Sequence, residues 1–246
     1  MGPPYCYTHS VKRDTVSRIM RLIVVTAVIA IGAYQTMLIP HDPHDNSTES
    51  LPTLAQSPAS EVLKSLEIKG RAPKTNYSRA QFGDGWLTTG GCDTRNRILA
   101  RDMTDITYVP TTDIVVCKVA SGTLIDPYTG RTIQFIRGAT TSSAIQIDHV
   151  VALSDAWQKG AQALTPAQRI QLANDPLELL AVDGAANQQK SDGDAATWLP
   201  ANKPYRCTYV ARQIAVKKKY NLWVTRSEYD AMARVLNTCP DQQLPS

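Results

Sequence analysis

Ile145-Gln-Ile-Asp-His-Val-Val-Ala-Leu153 alternates apolar and polar side chains as far as Asp148 and then turns wholly apolar, the pattern of a partly buried strand. Four histidines occur in the chain, His9, His41, His44 and His149, and only His149 falls in the part that reads as folded. Downstream, Asn174-Asp-Pro-Leu-Glu-Leu-Leu-Ala-Val-Asp-Gly-Ala-Ala-Asn-Gln-Gln-Lys190 gives a second strand-like run from Glu178 to Val182, a turn at Asp183-Gly184 and a short helix. That helix carries Asn187 and Lys190 three residues apart, on one face. An Asp-His pair alone is weak, because its commonest meaning is a strand-end histidine beside a solvated carboxylate. A strand with Asp148-His149, a return strand and a helix with Asn187 and Lys190 form a more specific order.

Outward from this unit the chain reads as mixed α and β. Val115–Ile125 and Thr132–Ile136 are β-rich runs joined by Asp126-Pro-Tyr-Thr-Gly130, whose turn-forming residues predict a hairpin. Ser154-Asp155 is a candidate cap for a helix carrying Trp157, and Thr165-Pro-Ala-Gln168 has the form of a capping box with proline at the first helical position. Near the end, Cys207, Val210, Ala211 and Ile214 recur at helical spacing. Tyr229, Met232, Ala233 and Leu236 repeat it after the capping box Thr225-x-x-Glu228.

The N-terminal part reads differently. Basic residues up to Arg21 precede the uncharged run Leu22–Tyr34, which continues to Pro40 with Gln35 and Thr36 as interruptions. Residues 1–40 therefore fit a signal peptide or an N-terminal membrane anchor. Residues 41–60 are rich in Ser, Thr, Pro and Asp and read as a disordered linker, leaving 61–246 as the domain. Formal net charge is +4, but residues 1–40 supply most of it through Lys12, Arg13, Arg18 and Arg21 against Asp14. Overall basicity is thus no argument for nucleic-acid binding, which must rest on local patches.

Cysteine usage agrees with export. Cys92, Cys117, Cys207 and Cys239 lie beyond the apolar run, an even number in an oxidising setting. The pairings Cys92–Cys117 and Cys207–Cys239 tie together neighbouring elements and are expected over the other two connectivities. A four-thiolate zinc site is the competitor, but no C-x-x-C pair supports it. The expected location is extracellular or at the cell surface, and no segment points to a protein partner.

Here the chain resembles a known family, the His-Asn-His (HNH) nucleases, and more closely exported proteins with the nuclease domain of GmrSD-type modification-dependent restriction enzymes. The residues that carry the resemblance are Gly91-Cys-Asp-Thr-Arg-Asn96, Leu99-Ala-Arg-Asp102, Ser121-Gly122, Asp126-Pro-Tyr-Thr-Gly130, Ile147–Leu153, Ala181-Val-Asp-Gly184, Asn187-Gln-Gln-Lys190 and Trp198-Leu-Pro200. The resemblance implies an α+β fold: a ββα-metal (HNH) finger embedded in a mainly helical domain with an upstream β-hairpin. It also implies hydrolysis of DNA, double- or single-stranded, with one Mg²⁺ or Mn²⁺ held by Asp148 and Asn187. Phosphodiester hydrolysis needs a base for water and a cation for the departing oxygen. A neutral imidazole suits the first task near pH 7, so His149 is the expected base. Lys190 is a candidate to steady transition-state charge, although a solvated helix-face lysine reads equally well.

One position departs from the pattern. Nine residues before Asn187, where the family's middle Asn orients the histidine loop, the chain has Glu178. A carboxylate accepts the same backbone hydrogen bonds but does not donate as an amide does. Asn174 is the alternative orienting residue. For substrate contact, Arg95 and the basic run that includes Lys203, Arg206 and Arg212 are candidates, with a salt-bridged loop and an ordinary charged helix exterior as the bland readings. A serine hydrolase is disfavoured because no G-x-S-x-G occurs. A cell-surface module that binds DNA or wall polymer without cleaving it is the remaining alternative.

Overall fold

The computed structural model describes residues 58–245. The expected export segment (1–40) and residues 41–57 of the expected linker lie outside the described residues. Within 58–245 no helix is long and apolar enough to cross a membrane.

The described residues form an α+β fold with seven α-helices and three small antiparallel sheets. The helices are α1 (Pro58–Lys64), α2 (Thr94–Asp102), α3 (Leu153–Gln158), α4 (Pro166–Asn174), α5 (Gly184–Lys190), α6 (Arg206–Lys219) and α7 (Arg226–Leu236). Strands β1 (Thr88–Thr89) and β2 (Cys92–Asp93) pair with each other. Strands β3 (Thr104–Tyr108), β4 (Val119–Ile125) and β5 (Thr132–Ile136) form a meander, and β6 (Ile145–His149) pairs with β7 (Leu179–Asp183).

The β6–β7 ladder aligns Ile145 with Asp183 and His149 with Leu179. Because strand side chains alternate, the two faces of this ribbon feed two cores. Ile145, Ile147, Leu179 and Ala181 pack with Leu99 of α2 and Phe135 of β5. Leu180 and Val182 pack on the other side with Trp157, Tyr209, Ile214 and Met232 of the helices. All five residues of β7 are buried, which explains a run with no polar alternation before Asp183.

Capping chemistry places the helix starts. Thr165 and Thr225 each form the expected capping box, with Gln168 and Glu228 reaching back. Asp183 accepts from the Ala186 N–H and starts α5 directly at the end of β7. The next residue must be glycine, since a Cβ on Gly184 would lie 2.1 Å from the Ser143 carbonyl oxygen. The amphipathic residues of α6 and α7 are inside: Val210, Ala211, Ile214, Tyr229, Met232, Ala233 and Leu236 are all buried. Both expected disulfides are present, Cys92–Cys117 and Cys207–Cys239.

Three local expectations are corrected. The hairpin forms, but its first strand begins at Val119 rather than Val115. Its neighbour β3 ends at Tyr108; the Val109 N–H still reaches the Lys118 carbonyl, but Pro110 has no N–H to extend the ladder further. Ser154-Asp155 does not cap α3, whose N-cap is Ala152 with no side-chain bond. Ser154 instead donates to Asp192, and Asp155 pairs with Arg71 and Lys159. Third, Asp93–Asp102 is not a loop. Asp93 caps α2 by accepting from Asn96 N–H, and Arg101 and Asp102 end that helix with a 2.6 Å ion pair.

A second buried assembly joins distant segments. Lys159 is wholly buried and bonds to Asp155, Asp194 and Glu228 at 2.8, 2.8 and 2.5 Å. Lys217, equally buried, reaches Glu228 at 3.0 Å, and Arg71 closes the group on Asp155 and Asp194. Three acids face three bases, so the charges balance inside the domain.

Candidate active site

Asp148, His149 and Asn187 line one open cleft of about 640 Å³, together with Arg95, Arg79 and Trp86. The β6–β7 register and the immediate start of α5 produce this meeting. Gln146 and Asp148 lie on one face of β6 by strand alternation. Gln146 accepts from the Asn187 amide at 2.9 Å, which orients that side chain from α5.

His149 sits at the end of β6 with its ring nearly buried. Its Nε2 lies 3.0 Å from the Ala173 carbonyl oxygen, and the Trp86 indole stacks on the ring. Since a carbonyl only accepts, Nε2 carries the proton in the neutral ring and Nδ1 keeps the free lone pair. Burial, reinforced by the nearby Arg79 charge, lowers the His149 pKa to about 3, so the imidazole is neutral throughout the physiological range.

Asp148 is buried and fully engaged by neighbours. Its Oδ1 accepts from Lys190 Nζ at 3.0 Å and its Oδ2 from the Tyr128 hydroxyl at 2.5 Å. Lys190 also donates to the His149 carbonyl at 2.8 Å. Burial raises the Asp148 pKa, with the Lys190 ammonium pulling the other way. Lys190 is thus no solvated helix-face lysine: it is 2% exposed and points into the site.

Glu178 and Asn174 have separate tasks. Glu178 is wholly buried, and its Oε2 accepts from Val151 N–H at 3.2 Å while its backbone carbonyl accepts from Val150 N–H. It therefore holds the backbone that follows His149. Asn174 accepts from Leu87 N–H and donates to Ile170, fixing the segment that carries Trp86.

The candidates for substrate contact divide between the cleft and the surface outside it. Arg95 lines it and donates to the carbonyls of Ser142 and Ile145. Lys203, Arg206 and Arg212 do not line it. Arg206 donates to the Pro200 carbonyl and Arg212 to those of Leu177 and Leu179. Lys217, from the same basic run, is buried in the ionic assembly.

Two residues of the site carried no sequence signal that singled them out. Tyr128 belongs to the turn Asp126–Gly130, whose Asp126 accepts from Thr129 N–H and from Asp183 N–H. That second bond docks the turn against β7 and sets the hydroxyl against Asp148. Trp86 arrives from 63 positions upstream of His149 through a loop with no periodicity.

Comparison with known proteins shows the family. Residues 93–235, more than half of the chain, match the family model of the C-terminal domain of GmrSD restriction endonucleases. The chain is also 38% identical over 186 residues to an "Uncharacterized secreted protein" of Arthroderma benhamiae, covering 74% of this chain and 85% of that relative. The chain belongs to the GmrSD C-terminal domain family, a membership that gives it a nuclease-type function. No solved structure matches it.

Proposed function

We propose that this protein is an exported, divalent-metal-dependent HNH-type endonuclease that hydrolyses DNA phosphodiester bonds with weak sequence specificity. The observation that carries the reading is the single cleft shared by Asp148, His149 and Asn187, built by two antiparallel strands and the helix that follows. That order matches a ββα-metal finger. Export rests on residues 1–40 and is supported by the printed description of the relative as secreted.

Among the described residues no group of three or more His, Cys, Asp and Glu side chains is arranged to hold a metal ion. The donor set nevertheless fits a hard ion held by few protein ligands. Asp148 accepts one bond on each oxygen, and an ionised carboxylate has about four lone-pair directions. Asp148 and Asn187 would hold Mg²⁺ or Mn²⁺, with waters and phosphate completing the shell. Such an ion makes bound water more acidic and stabilises negative charge on phosphate oxygens.

His149 offers Nδ1 as the acceptor for the proton of the attacking water. Its depressed pKa keeps it in the base form but makes it a weak base, so it acts best on a water already acidified. The Ala173 carbonyl and the Trp86 indole fix the ring, and Glu178 holds the loop behind it. Lys190 places its positive charge on Asp148 and fixes that carboxylate. Digestion of plasmid by the full chain with Mg²⁺, with EDTA, and with His149→Ala tests the reading. Equal cutting by wild type and variant would sink it.

One observation favours a second reading, a surface module that binds DNA or wall polymer without cleaving it. Both Asp148 oxygens already have protein donors. That reading requires retained DNA binding with no cleavage in Mg²⁺ or Mn²⁺.

A further inference from the structure

The cleft at His149 adjoins a second one of about 450 Å³, and Trp86 and Arg95 line both. One wall of the second cleft is the start of α2, and the other is the irregular segment 109–118. The Cys92–Cys117 disulfide joins these walls. Arg95 and Arg137 both line this space, and every acceptor they have is uncharged. Arg95 donates to the Ser142 and Ile145 carbonyls, and Arg137 to the Val119 carbonyl and the Asn96 side-chain oxygen.

Asp93 offsets the Arg95 charge in part but makes no ion pair with either guanidinium. Both of its oxygens are spent on Asn96, one on the backbone N–H and one on the side-chain amide. The exposed rim carries one base, Lys118, and one acid, Asp113. Burial lowers the Arg95 pKa, the Arg137 charge pushes it the same way, and the Asp93 charge reverses this only in part, so the repulsion between the two guanidinium groups persists. The fold holds two cations together without an ion-pair partner among the described residues, an arrangement that an anion relieves. The rigid fork of a guanidinium matches phosphate oxygens.

We propose that Arg95 and Arg137 form a phosphate subsite for a nucleic-acid strand whose neighbouring phosphate lies at His149. The inference rests on the nuclease reading for what occupies the His149 cleft. Continuity of the two clefts favours a strand over a lone phosphate, and sends that strand past Trp86 towards the disulfide rather than along α6.

The test is binding of a fluorescent oligonucleotide of about 12 nucleotides, single-stranded and duplex, to the full chain in EDTA, at salt from about 50 to 200 mM. Arg95→Gln and Arg137→Gln each weaken binding about tenfold and make the slope of log K against log salt shallower by about 0.7–0.9, the loss of one phosphate contact. Arg95→Lys and Arg137→Lys, which keep the charge, restore the slope; thermal melts verify that all four variants fold. Gln variants with wild-type affinity and slope overturn the proposal. So does inorganic phosphate or a 5′-mononucleotide that binds as tightly as the oligonucleotide with the same arginine dependence. If the wild type cuts no DNA yet its binding depends on both arginines, the nuclease reading fails and the subsite stands. If His149→Ala abolishes cutting while both Gln variants bind like wild type, the subsite fails and the nuclease reading stands.

Discussion

The Trp86 indole lies parallel to the His149 imidazole, with ring centroids 5.7 Å apart and 9° between the planes. Together with the Ala173 carbonyl at Nε2, this contact leaves the imidazole one orientation. Trp86→Ala is expected to lower kcat by about tenfold to a hundredfold, the range typical of a misplaced catalytic group, with a smaller change in KM. Trp86→Phe, which keeps a flat ring, restores much of the rate. Steady-state cleavage of a labelled duplex measures both, and an unchanged kcat in the alanine variant would remove Trp86 from the site.

Glu178 gives a stability prediction with a defined pH sign. Burial raises its pKa well above the usual carboxylate range, so the folded state binds a proton that the unfolded chain has lost. Stability therefore falls as pH rises from the unfolded value of 4.5 towards the folded one. A protonated carboxyl pairs an O–H donor with a carbonyl acceptor, and a neutral amide of nearly the same shape keeps that acceptor beside an NH2 group. Glu178→Gln should match wild type near pH 4.5 and exceed it increasingly at higher pH. Glu178→Ala, which strands the Val151 N–H, should cost about 2 kcal/mol in urea denaturation.

The ionic assembly predicts the opposite trend in acid. Burial alone would raise the Asp194 pKa, but the ion pairs with Lys159 and Arg71 outweigh it and hold the value at about 2. Its contribution is complete above the unfolded value of 3.8 and is lost as pH falls from there to about 2. Asp194→Asn should be less stable above pH 4 and show a flatter acid limb by circular dichroism. A limb as steep as wild type would contradict the assignment.

Removing a cation from that assembly should be severe. Lys159→Ala leaves Asp155, Asp194 and Glu228 short of their shared partner, a loss of about 3–5 kcal/mol. Lys64→Ala, whose ion pair with Glu61 is exposed, should change stability by less than about 1 kcal/mol. Chemical denaturation of the two variants side by side checks the contrast.

Disulfides can be separated by their positions. Cys92–Cys117 spans the walls beside Arg95, whereas Cys207–Cys239 ties α6 to the end of α7. Replacing the first pair by serine should weaken oligonucleotide binding more than it lowers melting temperature. Replacing the second should lower melting temperature and spare affinity.

How much of this was legible in the sequence depends on the range of the interaction involved. Asp148, His149 and Asn187 could be grouped in advance because two strands, a turn and a short helix are local patterns. The C-terminal helices and their capping boxes were legible for the same reason. Helix α2 was not, since Thr-Arg-Asn-Arg-Ile-Leu-Ala-Arg-Asp has few apolar residues to set a period. Tyr128 and Trp86 reach the site through tertiary contacts that no spacing encodes. The basic run from Lys203 misled because charge along a chain says nothing of where each tip goes: Lys217 turns inward, while Arg212 is tied to carbonyls.

The buried charges also bear on the order of events in folding. Asp155–Lys159 and Lys217–Glu228 pair between near neighbours in the chain, whereas Arg71 and Asp194 join them from far away. A partly folded chain that buried the other five before Arg71 arrived would hold three acids against two bases, a disfavoured state. The clasp therefore closes late, and with high sequence separation it closes slowly. Until then the helical core is held by apolar contacts around an unbalanced charge, so cutting activity should appear only with the last step of folding, in one cooperative transition.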